Sequence, residues 1–292
     1  MTSYRHHVDK KMIMMTSWVI DRSKEVGIVF ILIHVIASHP ADRIGDFLVP
    51  EEMSDDISIH GGVKMGVLDN NCDNGKDRLY VDLAHMDEMM RICPARLSVP
   101  QCRHRKRGIS ATTQVSCKKP APICTKHADR PLHECMDKAI VYKEPVPTSG
   151  AHRPIWPVYG EYYYIPPQRW IHSLEHGAAV FLYHPCADLH QLDIFRSLAT
   201  TCLRRHIITP YNLTQTKPFA ILTWTCRLML DRVDIHIPAA VDFIRSTALD
   251  TYESKVYQDG QYSFLLKTPA GTVTDKRDLH VCPSYRPTRR LA

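Results

Sequence analysis

His172, Glu175 and His176 stand three and four residues apart in Gln168-Arg169-Trp170-Ile171-His172-Ser173-Leu174-Glu175-His176-Gly177. On an α-helix these spacings share one face, so two imidazoles and a carboxylate would project together. Neutral imidazoles suit zinc or copper, and a carboxylate beside them can act as a base or hold a ligand in place. His152, in a proline-rich stretch upstream, supplies a third imidazole if that stretch folds over the helix. The order H-x-x-E-H also matches the inverted zinc-peptidase motif, and Glu253 is the downstream glutamate that could complete such a site. One reading is therefore a metal-dependent hydrolase, with His152, His172 and His176 as ligands and Glu175 as catalytic base.

The other reading needs no metal and is preferred here. In it His172 and Glu175 hydrogen-bond to the proline-rich loop and His176 satisfies backbone groups at the helix end, because buried polar side chains must find partners. The domain is then a non-enzymatic structural or interaction module with a protein partner.

Neighbouring residues specify the elements that would carry this trio. Pro166 and Pro167 suit the start of a short helix, and Gly177 suits its end. Ala178 to His184 reads as a buried strand. Asp188 can cap a helix whose apolar positions Leu189, Leu192, Phe195, Leu198, Ala199 and Cys202 follow the 3.6 period. Ile207 and Ile208 begin another extended piece, Phe219 to Leu230 reads as one long strand, and Pro238 to Ala248 as a further helix. The prolines between Pro145 and Pro157 bar regular structure and make that stretch an ordered loop. An α+β class follows: a compact domain with a small mixed sheet and two or three helices, preceded by an irregular cysteine-rich segment.

The chain has 292 residues, 44% of them hydrophobic, which excludes disorder as the default. Its net charge of +6 is modest, and the basic run Arg103-His104-Arg105-Lys106-Arg107 lacks interleaved aromatics, so nucleic-acid binding is not expected. That run reads as a solvated loop or a processing site. Val26 to Ala37, preceded by Arg22 and Lys24, fits the core of a signal peptide and is too short to span a bilayer. No membrane span is expected in the mature chain. The expected organisation is a signal peptide over 1–37, a cysteine-rich segment over 38–141, the main domain over 142–268 and a tail over 269–292.

All ten cysteines lie beyond the proposed cleavage point and none forms a C-x-x-C pair, which favours disulfides over a zinc ribbon. Cys186 and Cys202 flank a straight helix and stand too far apart to bond, so Cys202 with Cys226 is the easier pairing. Asn212-Leu213-Thr214 is a glycosylation sequon. These features point to a secreted or lumenal protein, the alternative being a cytoplasmic one with reduced thiols.

Three motifs, Pro147-Thr148-Ser149-Gly150-x-His152-x-Pro154, His172 to Gly177 and Leu222-Thr223-Trp224, resemble a bacterial domain of unknown function that carries an HSLEHG motif. Phe181 to Ala187, Cys202, and Thr214-Gln215-x-x-Pro218 with Leu222-Thr223-Trp224 resemble the animal tumour protein p53-inducible protein 13 family. The resemblance covers about residues 142–266. It implies a growth-regulatory role and no established reaction.

Overall fold

The apolar runs after Gly177 are continuous rather than alternating, as in strands covered on both faces. In this computed structural model, which describes residues 60–84, 86–91, 119–125 and 131–285, they belong to a seven-stranded mixed sheet. The elements in chain order are α1 (Met86–Arg91), β1 (Ile123–Cys124), β2 (Gly160–Tyr162), α2 (Pro167–Glu175), β3 (Ala179–Tyr183), α3 (Leu189–Cys202), β4 (His206–Pro210), β5 (Phe219–Thr223), β6 (Cys226–Leu230), α4 (Ile237–Thr247) and β7 (Leu266–Pro269). The strands run in the order β1-β6-β5-β3-β4-β2-β7. β2 and β3 both lie parallel to β4, and the other neighbours are antiparallel. This is the expected α+β class.

Alternation along β3 separates the two cores. Ala179 and Phe181 join Phe195, Leu198, Ala240 and Ile244 of α3 and α4 on one face. Val180 and Leu182 join Trp170, Ile171 and Leu174 of α2, with Tyr159 and Tyr162, on the other. The Asp188 side chain accepts from the Gln191 amide and caps α3 as its sequence indicates.

Two expectations are corrected. Phe219 to Leu230 is a hairpin and not one strand, since β5 and β6 pair antiparallel around Trp224 and Thr225. Thr225 takes φ 60°, a conformation tight hairpins need but one that no Asn-Gly or Gly-Gly signal announces here. Cys202 does not bond Cys226: the disulfides are Cys72–Cys135, Cys124–Cys226 and Cys202–Cys282, and Cys186 is also disulfide-bonded. Cys202 leads directly into β4, three strands from β6, which is roughly 14 Å at the usual strand spacing. The β1 register instead sets Cys124 opposite Cys226. These bonds match an oxidising compartment. The segment 1–37, the basic run Arg103–Arg107 and Cys93, Cys102 and Cys117 lie outside the described residues. Among those described, no helix is long and apolar enough to cross a membrane.

Pro167 opens α2, and Gly177 follows its cap at φ 81°. A Cβ on Gly177 would lie 2.8 Å from the Leu249 backbone, and the Leu249 amide donates to the Gly177 carbonyl at 3.0 Å. That approach draws Thr251, Tyr252 and Glu253 to the end of α2. Gly177→Ala is therefore expected to cost roughly 1–3 kcal/mol, from left-handed strain alone, before the clash is relieved. A denaturant midpoint equal to that of the unaltered protein would show that the close approach is unnecessary.

Candidate metal centre

Helix α2 is buried all round, from Arg169 to Glu175. Its apolar residues meet the sheet, so its polar residues must be met by other parts of the chain. One ion pair does this directly, and a second fastens the proline-rich loop beside it. Arg169 donates to both oxygens of Asp73 at 2.5 and 3.0 Å, and Arg153 donates to both oxygens of Asp82 at 2.9 and 2.6 Å. They lay the segment from His60 to Asp82, together with the proline-rich loop, over the helix. The Cys72–Cys135 disulfide ties the same segment to the strand-like stretch around His133.

Five histidines and two glutamates converge beneath this cover. His133, His152, His172 and Glu175 each offer a donor atom, and these atoms lie within 4.8 Å of one another. The same holds for His172, His176 and Glu253, and for His60, Glu175 and Glu253. Ring centroids are 4.6 Å apart for His152 and His172, 4.6 Å for His172 and His176, and 4.2 Å for His60 stacked on His133. Trp156 packs against His172 and His176. His133 also borders a surface depression of about 220 Å³, with Gly61, Val63, Leu132 and Cys135.

Backbone carbonyls settle the tautomers. Nδ1–H of His133 donates to Val63 at 3.2 Å, that of His152 to Gly150 at 2.9 Å, and that of His172 to Arg153 at 2.6 Å. Each Nε2 is then a lone pair, and all three are buried without a hydrogen-bond partner. His152 Nε2 lies 3.0 Å from Glu175 Oε2, a spacing that requires a proton or a metal ion between them. The other Glu175 oxygen accepts from the Tyr252 hydroxyl, and the Glu175 carbonyl accepts from Thr251 at 2.5 Å. Burial, then the neighbouring imidazoles His152 and His60, pushes His133 down to about 2. Burial, then His152, His176 and His133, likewise holds His172 well below its ordinary value.

Glu253 sits between two rings, His60 Nε2 at 2.8 Å and His176 Nε2 at 3.1 Å. Burial alone would raise its carboxyl, but these histidines outweigh it and hold the group well below the usual carboxylate range. Burial would lower His60, but Glu253 and the Pro131 carbonyl on its two nitrogens prevail and push it up to about 9.

Of the residues predicted from sequence, His152, His172, His176 and Glu175 all fall within this cluster, and Glu253 joins them. The Arg153 carbonyl holds His172 and Glu175 lies beside His152 of the loop, whereas the His176 ring faces Glu253 and Met65 rather than backbone groups. Asn212 is exposed in the loop after β4. His133 and His60 were not anticipated. The available hint was that each lies in a stretch joined by the Cys72–Cys135 bond, and the pairing was not readable from spacing.

Stability of the chelator-treated protein should peak near pH 6.5. A histidine raised in the fold stabilises fully below its unfolded value of 6.5, and that contribution is lost as pH rises through about 9, which is the His60 case. A histidine lowered in the fold, as His133 and His172 are, costs stability as pH falls below 6.5, because only the unfolded chain then takes up the proton. Urea midpoints that climb steadily from pH 6.5 to 5 would contradict the buried, neutral rings.

No curated protein and no solved structure matches the chain. Residues 133–260 match the family described as "Protein of unknown function (DUF3105)", a span that runs from His133 past Glu253 and leaves out His60. The chain thus carries a DUF3105 domain.

Proposed function

We propose that this domain binds a first-row transition-metal ion, zinc or copper, through His133, His152, His172 and Glu175, and that the ion staples the proline-rich loop to α2. The observation that carries this reading is the set of three buried Nε2 lone pairs, each fixed by a carbonyl on its far nitrogen and turned toward one carboxylate. Carbonyl-anchored imidazoles are the usual supporting arrangement around a metal. A metal-free scaffold accounts for the three Nδ1 bonds but leaves the Nε2 atoms of His133 and His172 unsatisfied in the core.

Four protein ligands closed off from solvent are the pattern of a structural centre, whereas catalytic zinc keeps a position for water. The Tyr252 hydroxyl donates to Glu175 Oε1, which disfavours Glu175 as the base of a peptidase. The reading is therefore a non-enzymatic metal-binding module. The disulfides support a secreted or lumenal setting, where Asn212 would carry a glycan. Membership of the p53-inducible protein 13 family and a growth-regulatory role rest on the motif resemblance.

Zinc analysis of the dialysed protein is expected to find at least one equivalent per chain, with an unfolding free energy raised by about 2.7 kcal/mol at a zinc concentration 100-fold above Kd. His172→Ala should weaken zinc binding by more than the roughly 10–100-fold that loss of a supporting partner costs. A chain that binds no zinc or copper and melts at the same temperature with and without them overturns the reading.

A further inference from the structure

Resting on that reading, we propose that the cluster holds a second metal ion on His60 and Glu253, with Glu175 bridging it to the first. The three donor sets overlap in pairs: Glu175 belongs to the first and third, His172 to the first and second, and Glu253 to the second and third. One ion on His133, His152, His172 and Glu175 leaves His60 and Glu253 unused, although their donor atoms and one of Glu175 lie within 4.8 Å of one another.

The chemistry around Glu253 repeats that around Glu175. Nδ1–H of His60 donates to the Pro131 carbonyl at 2.9 Å, and its Nε2 lies 2.8 Å from Glu253 Oε1. A metal ion bound there would take the place of the proton that Nε2 shares with the carboxylate. Glu253 Oε2 lies 3.1 Å from His176 Nε2, which is also 3.2 Å from the Met65 thioether, and His176 Nδ1 is buried without a partner. Imidazole and carboxylate suit zinc, and the thioether adds a soft neighbour that copper favours.

The two positions differ in exposure. His152 and Glu175 have fully buried side chains, whereas the Glu253 side chain is 14% exposed. The second ion would face solvent and keep room for water, while the first is enclosed. Two divalent ions against two carboxylates leave a positive balance, which suits a shared oxygen anion of the kind that two-metal centres about 3.5–4 Å apart clamp.

The test is zinc stoichiometry on the full chain after chelator treatment and equilibrium dialysis. The expected result is two equivalents for the unaltered protein and one for the His60→Ala, Glu253→Gln double variant. Cobalt replaces zinc in a second measurement that needs no variant. Two ions that share Glu175 should couple, so the electron paramagnetic resonance intensity per cobalt falls when the second equivalent enters. Saturation at one equivalent, two equivalents retained by the variant, or cobalt signals that simply add would each overturn the second site and leave the first standing. Absence of any bound metal would instead overturn the proposed function.

Discussion

A helix buried on every side must have its polar residues answered by charge and hydrogen bonds from elsewhere in the chain. In α2 that constraint falls on Arg169, His172, Glu175 and His176, since Trp170, Ile171 and Leu174 already occupy the sheet. Asp73 answers Arg169, and the loop residue Arg153 answers twice, with its carbonyl to His172 and its guanidinium to Asp82. Both carboxylates are almost fully enclosed, so removing either would strand a buried guanidinium, a loss of about 3–5 kcal/mol. The imidazole cluster is thus held by a shell of buried ion pairs, and its geometry depends on them more than on its own contacts.

Elements with a strong local signal were legible in the sequence. Proline at the start of α2, glycine past its end, aspartate at the cap of α3 and the doubly covered run of β3 each have a local cause. The hairpin at Trp224 and Thr225 was not legible, because a threonine takes the positive φ that glycine or asparagine would have announced. Disulfide partners depend on strand order, and strand order is a tertiary property. Cys124 meets Cys226 only because β1 adds to the sheet edge beside β6.

The candidate site divides in the same way. His152, His172, Glu175 and His176 stand in motifs whose spacing has a helical meaning, and Glu253 could be named as a completing carboxylate. His60 and His133 have no such spacing. They reach the cluster through backbone pairing, with the His133 amide donating to His60 and the His152 amide to Leu132, and through the Cys72–Cys135 bond. Only folding places them.

The Gly177 to Leu249 contact brings this scattering to its extreme, since it delivers Glu253 from beyond α4 to rings that begin at His60. A zinc finger gathers its ligands from neighbouring residues, so the metal can nucleate the fold. Here only His172, Glu175 and His176 are close in sequence, and every other pair in the cluster demands closure of a longer loop first. On the proposed reading, ion capture would come late in maturation, after oxidation and sheet assembly, and a chain deprived of metal would stop at a nearly finished fold rather than stay unfolded.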